Sequence, residues 1–194
     1  MLYFICKSLA ALACKTLFRV EVSGRGNIPK KGGFILASNH LSHLDPIVLA
    51  VVCPRKLSFM ARDTLFRNPL FSWLISNVGA FPVKRASADL SAVKEAMKCL
   101  KNNRALLLFP QGTRALKPDI DMPVQSGVGF LAAKAGVPVI PAFIKGTDKA
   151  MPRDQRNIGF HKIRVCFGRQ IVIDKDMPYE SIAQQIMEYI RQLG

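Results

Sequence analysis

The sequence predicts an α/β fold: a single layered domain with a mostly parallel or mixed sheet flanked by helices, plus an amphipathic helix at the N-terminus. Three observations carry that expectation. Short apolar runs bounded by glycine, proline and asparagine alternate along the chain with segments of helical periodicity. The 194 residues suffice for one domain with a real core and give little reason to look for two. Apolar residues make up 49% of the chain, which is enough to fill an interior and leave some apolar surface against something else.

The chain opens with MLYFICKSLAALACKTLFR, in which apolar residues surround Lys7, Lys15 and Arg19. That is the pattern of an amphipathic helix lying in a membrane interface, or of one packed on the protein's own core. The excess of apolar residues and of positive charge favours the membrane surface, so residues 1–18 are expected to be a membrane-associating segment and residues 19–194 the domain proper. A signal peptide fits poorly, because Lys7 and Lys15 interrupt the apolar region. No stretch reads as an ordinary membrane span: the longest charge-free run, residues 68–83, is broken by Pro69, Asn77, Gly79 and Pro82.

Next, FRVEVSG alternates as a short strand and GRGNIPKKGG forms a basic, turn-rich connection. FILAS, residues 34–38, reads as a buried strand; PIVLAVVC continues as a helix towards Pro54. KLSFMA is the next strand, NPLFSWLISNVG a helix stopped by Gly79, and AFPV a strand ending at Lys84 and Arg85. SADLSAVKEAMKCLKNN is amphipathic, with a helix start at Ser87 or Ser91, and RALLLFP is a buried strand. Residues 125–136 form a helix closed by Gly136, and VPVIPAFI is a strand containing two prolines. KIRVCFG and QIVI alternate as strands, and YESIAQQIMEYIRQL is the last helix.

With 28 Lys and Arg against 13 Asp and Glu, the net charge of +15 predicts a polyanionic partner. Nucleic acid is a poor match, since the basic residues are scattered and no zinc-finger spacing, RNP-like aromatic motif or Gly-x-x-Gly loop is present. Five cysteines without a C-x-x-C pair do not make a disulfide or zinc framework, and most sit in apolar contexts as small buried hydrophobes of a reducing compartment.

In α/β sheets, functional residues gather beyond the carboxyl ends of strands. Asn39, His40 and Asp45 follow the strand at 34–38, Lys84 and Arg85 follow the strand at 80–83, and Gln111, Gly112, Thr113 and Arg114 follow the strand at 105–109. His40 is the candidate general base, because a neutral imidazole takes a proton from a hydroxyl near neutral pH. Asp45 can orient it if the chain turns between them, although Asp45 before Pro46, with Ser42 ahead of it, equally fits a helix cap. His43 fits a solvated residue of the first helical turn. A metal on His40, His43 and Asp45 would lack further ligands, since His161 stands in a basic segment, and none is expected. No Gly-x-Ser-x-Gly elbow is present, so a histidine and an aspartate without a protein nucleophile imply direct attack by a substrate hydroxyl on an activated carbonyl. Lys84, Arg85 and Arg114 would then meet an anion, with a phosphate the obvious one.

These residues carry a resemblance. NHLSHLD matches the Asn-His-x4-Asp motif of the glycerolipid acyltransferase family that includes the 1-acylglycerol-3-phosphate, or lysophosphatidic acid, acyltransferases. LFRNPLFSWLISNVGAFPVKR resembles the family's second block, FPQGTR its third, usually Phe-Pro-Glu-Gly-Thr-Arg, and VPVIPAFIKG its fourth, and VCFG is similar to a weaker element. The resemblance covers about residues 33–146 and implies acyl transfer from a thioester co-substrate, acyl-CoA or acyl-carrier protein, to a hydroxyl of a phosphate-bearing lysophospholipid, with no other cofactor. It implies His40 as base, Asp45 as its partner, and Arg114 with Lys84, Arg85, Gln111, Gly112 and Thr113 around the substrate. The product would be phosphatidic acid, made by a protein on the cytoplasmic face of a membrane with anionic lipids. Glycerol 3-phosphate or another lysophospholipid is the rival acceptor, and a silent anionic-lipid binder the rival role. Gln111 replaces the family's usual Glu, a neutral amide for an anionic acceptor.

Overall fold

The computed structural model of the protein describes residues 2–84, 89–115, 122–152 and 158–194. Its elements run α1 (Leu2–Leu17), β1 (Arg19–Ser23), β2 (Phe34–Ser38), α2 (Asp45–Val52), β3 (Leu57–Arg62), α3 (Pro69–Asn77), β4 (Ala80–Val83), α4 (Leu90–Lys101), β5 (Ala105–Leu108), α5 (Ser126–Ala135), β6 (Val139–Lys145), α6 (Thr147–Ala150), β7 (Lys162–Phe167) and α7 (Tyr179–Arg191), with single 3-10 turns at Arg25–Asn27 and Asp63–Phe66. The seven described strands form one sheet in the order β1-β7-β6-β2-β5-β3-β4. β6, β2, β5, β3 and β4 are mutually parallel, β7 runs antiparallel to β6, and β1 lies parallel to β7.

β2 is the centre of this arrangement, flanked by β6 and β5, and all five of its residues are buried. A strand covered on both faces needs an unbroken apolar run, which FILAS supplies. Alternation then divides it: Phe34 and Leu36 join Val48, Leu49 and Val52 of α2 and Cys14 of α1 on one side, while Ile35 and Ala37 join residues of α4, α5 and α7 on the other. Cys53 and Cys99 are buried as well. Crossovers between parallel strands are right-handed in nearly all proteins. The step from β2 to β3 carries α2 on the first face with α1; the step from β3 to β4 continues in the same direction, so the same handedness assigns α3 to that face. The chain then reverses direction, and α4 and α5 cover the other face.

Several expectations are corrected. One side of α1 packs on the domain: Tyr3 and Cys14 are buried, and Cys14 and Phe18 belong to the core shared with α2. Lys7 does not point to a lipid interface, since its Nζ donates to the Cys53 carbonyl at 2.6 Å, where the last carbonyls of α2 lack helical partners. Burial pushes its pKa below the ordinary lysine value. The membrane reading of α1 now rests on Phe4, Ile5, Leu9 and Leu12, which are exposed. QIVI forms only an isolated bridge, Ile171 to Val139. The cap of α4 is neither Ser91 nor Ser87, of which the latter lies outside the described residues, but Asp89, whose side chain accepts from the Ser91 and Ala92 N–H groups. Asp89 also accepts from the Lys84 N–H, and this bond first, with the Ser91 hydroxyl next, holds its carboxyl down to a pKa of about 2. α6 was not anticipated, because four residues carry no periodicity.

α5 and α7 pack closely at Gly129, where an added Cβ would collide with the Tyr179 carbonyl. Gly129→Ala should therefore destabilise the fold by about 1–3 kcal/mol through overpacking, against the gain of about 1 kcal/mol that alanine normally brings to a helix interior. Urea unfolding checks the sign; a stabilised variant would mean that the helices separate at no cost.

Candidate active site

Where β2 ends, its ladder to β6 is continued by a side chain. Asn39 donates through Nδ2 to the Ile144 carbonyl and accepts through Oδ1 from the Ile144 N–H, both at 2.8 Å. An amide side chain reproduces a backbone donor and acceptor, so the chain leaves the sheet while β6 stays satisfied. The next residue, His40, is thereby fixed at the carboxyl rim, with only 8% of its surface exposed.

Four residues then turn back on themselves. Asp45 Oδ2 lies 2.8 Å from His40 Nδ1 and accepts the Leu41 and Ser42 N–H groups at 2.6 and 2.8 Å. Asp45 makes no simple cap, since α2 begins at Asp45 after Leu44 with no side-chain cap bond; its Oδ2 instead faces the imidazole and reaches back to the Ser42 N–H, closing the turn that leads into α2. Ser42 Oγ donates to the Met151 carbonyl at 2.8 Å, tying the turn to the segment after α6. Because Oδ2 already serves two donors as an acceptor, Nδ1 is the protonated ring nitrogen, and the lone pair available to a substrate sits on Nε2. The Asp45 Oδ1 atom is buried without a hydrogen-bond partner among the described residues. Phe109 stacks on the imidazole with ring centroids 3.9 Å apart and planes inclined by 15°, covering one face of the ring and limiting its rotation.

The third block closes the site from β5. The Gly112 N–H returns to the Phe109 carbonyl at 2.9 Å, making a β-turn with Pro110 at its second position and Gly112 at φ +67° after it, a conformation glycine adopts without strain. This turn aims Gln111 Oε1 at the His40 N–H, 2.9 Å away, and the Ala115 N–H donates to the His40 carbonyl at 2.8 Å. Gln111 is buried, and its Oε1 braces the backbone of His40. Glutamate, usual in the family, could accept the same bond; glutamine retains the acceptor without the charge.

The structure therefore brings His40, Asp45 and Gln111 together, with Gly112 shaping the turn and half-buried Thr113 and Arg114 directly before the Ala115 tether. Lys84 does not join them. It follows the edge strand β4, separated from β2 by β5 and β3, a lateral distance of roughly 14 Å at three strand spacings. Arg85 lies outside the described residues. His43 is exposed, as expected of a turn residue. Asn39 as a clasp and Phe109 as a ring platform were not foreseen; the block FPQGTR held both Phe109 and Gln111, but their partner lies about 70 residues away and no spacing rule reveals it.

The chain thus sets a histidine held by a buried carboxylate at the carboxyl rim of the parallel strands, beside a glycine turn followed by a guanidinium. The acyltransferase family model matches residues 19–145, and the chain belongs to that family. A 1-acyl-sn-glycerol-3-phosphate acyltransferase of Bacillus subtilis is 30% identical over 146 residues, covering 75% of this chain and 72% of that protein. A chloroplastic 1-acyl-sn-glycerol-3-phosphate acyltransferase of Brassica napus is 30% identical over 173 residues, covering 87% of this chain; the chain spans 50% of that relative's length. The crystal structure of the 1-acyl-sn-glycerophosphate acyltransferase of Thermotoga maritima shares the fold, with a TM-score of 0.82 at 24% identity, over 98% of this chain and 78% of that one.

The bracing by Gln111 is open to direct test. Gln111→Glu keeps an oxygen opposite the His40 N–H and should preserve stability and slow exchange of that amide. Gln111→Met has similar length but no acceptor, and should cost about 1–3 kcal/mol by stranding a buried donor. Hydrogen exchange at His40 with chemical denaturation reads both; unchanged protection in the methionine variant would remove the brace.

Proposed function

We propose that the protein transfers an acyl group from a thioester, acyl-CoA or acyl-carrier protein, to the free hydroxyl of 1-acylglycerol-3-phosphate, giving phosphatidic acid. The observation that carries this reading is the His40–Asp45 pair at 2.8 Å, with no serine or cysteine among the described residues bonded to the ring. Such a pair suits a reaction in which the nucleophile arrives with the substrate. The acceptor hydroxyl gives its proton to His40 Nε2 as its oxygen attacks the thioester carbonyl. Asp45 stabilises the imidazolium that forms. The tetrahedral intermediate collapses with loss of thiolate, which takes the proton from the imidazolium and leaves as free thiol, and the ester remains on the glycerol. The names of the relatives in Bacillus subtilis and Brassica napus support the choice of acceptor.

Arg114 suits the acceptor phosphate, because a guanidinium offers two parallel donors and the Ala115 tether keeps it beside the His40 turn. Lys84 could reach the same lipid only from the flank. No described helix is long and apolar enough to cross a membrane. The exposed apolar residues of α1 and the net charge of +15 favour attachment to the anionic cytoplasmic face of a bilayer that carries the acceptor.

Incubating the protein with acyl-CoA and a panel of lysolipids and glycerol 3-phosphate, while following free thiol and lipid product together, tests the reading. Thiol release without an acylated lysophosphatidic acid would overturn it. His40→Ala should lower transfer by about 10²- to 10⁴-fold while sparing the turn, since Leu41 and Ser42 still bond to Asp45. Asp45→Asn should lose both turnover and stability, and His43→Ala should remain near normal. Equal losses at His40 and His43 would refute the dyad.

Arg114→Lys separates charge from geometry. It should raise the KM for phosphate-bearing acceptors about tenfold or more, while acceptor-independent thioester hydrolysis changes little. An unchanged KM would place the phosphate elsewhere.

A further inference from the structure

A short surface helix ordinarily buries one stripe of side chains. α3 buries none fully: no residue of Pro69–Asn77 is buried, Leu74 and Ile75 are half-buried, and Leu70 at 75% exposure, Trp73 at 58% and Phe71 at 44% face outward. Leu65, in the 3-10 turn just before it, is exposed too. Two exposed arginines, Arg62 and Arg67, flank the turn against a single acid, Asp63, and the run from 68 to 83 has no charge at all. An apolar surface containing tryptophan and phenylalanine, rimmed by arginine, has the composition of a segment resting in a bilayer interface.

Position strengthens this. α3 leaves the carboxyl end of β3, and Phe59 of β3 is in register with Leu107 of β5, the strand that runs into the Gln111 turn. It therefore springs from the same rim of the sheet as His40. The right-handed crossover sets it on the face that also carries α1, with its own exposed Phe4, Ile5, Leu9 and Leu12. Two apolar helices from chain segments about 60 residues apart thus belong to one side of the molecule.

We propose that α3 with its preceding turn is a second membrane contact, seated on anionic lipid through Leu65, Leu70, Phe71 and Trp73 with Arg62 and Arg67 at headgroup level. α1 and α3 together fix the orientation of the protein, turning the rim that holds His40 towards the bilayer. A single helix would leave the molecule free to roll about its axis; a second contact at the rim removes that freedom. The inference takes from the proposed function only that the acceptor resides in the bilayer.

Trp73 is the sole tryptophan of the chain, so the full-length protein reports on α3 without alteration. Vesicles of phosphatidylcholine with phosphatidylglycerol should shift its emission to the blue, and the same vesicles with brominated acyl chains should quench it. Leu65→Gln with Leu70→Gln should weaken vesicle co-sedimentation about tenfold or more, with an unchanged circular dichroism spectrum and melting temperature. Transfer to a short-chain acceptor below its critical micelle concentration should stay normal in this variant, whereas transfer to vesicle-borne acceptor falls. Val172, 84% exposed beside the amino end of β6, is the control, and Val172→Gln should bind as the parent does. Vesicle binding with no change in Trp73 emission would overturn the proposal, as would equal losses in the Val172 control. So would a concentration-dependent blue shift without vesicles accompanied by dimer in sedimentation velocity, which would assign the face to a second copy of the chain. Bromine quenching does not depend on turnover, so a protein that is quenched but transfers no acyl group would refute the proposed function and leave this contact standing.

Discussion

Asp45 Oδ2 receives the His40 ring and the N–H groups of Leu41 and Ser42 at once, so the oxygen that orients the imidazole is the oxygen that shapes the backbone beneath it. Ring and turn cannot be adjusted independently. A carboxylate in this position also consumes the two nearest backbone donors, which leaves the turn with none to offer a substrate from those residues. Burial makes the arrangement strong where it is satisfied and costly where it is not, and Oδ1 has no partner among the described residues. The surrounding contacts, Asn39 on β6, Gln111 from β5 and Phe109 against the ring, are the means by which the fold holds such a turn in place.

Much of this is legible in the sequence. Period-two and period-3.6 patterns mark nearly every strand and helix, because most elements are long enough to bury a face and are bounded by glycine, proline or a polar cap. QIVI failed because alternation alone cannot say whether a partner strand lies alongside. The His40–Asp45 pair was legible because a single tight turn joins its members, and local chain geometry is what sequence spacing encodes.

Contacts between distant segments were hidden for the opposite reason. Strand order is a property of the sheet, and nothing in AFPVKR says that two strands intervene between it and the histidine, so Lys84 was grouped with residues it does not adjoin. An amide near a histidine has several uses, and the brace that Gln111 Oε1 gives the His40 N–H is visible only in the folded distance between them. Lys7 looked like a lipid-facing cation for the same reason: its partner, a carbonyl at the end of α2, lies 46 residues away.

The ties that hold the His40 turn span 71 residues to Gln111, 105 to Ile144 and 109 to Met151. Closing loops of that length comes late in assembly, since the entropy of closure must be met before the contacts repay it. A growing chain that has emerged only as far as β5 already contains the whole histidine motif, yet lacks β6 and the segment that receives Ser42. Its reactive geometry does not exist until the sheet acquires that strand. The apolar face of α1 is synthesised before β6 and Met151, so a growing chain carries that face before it carries the completed His40 turn.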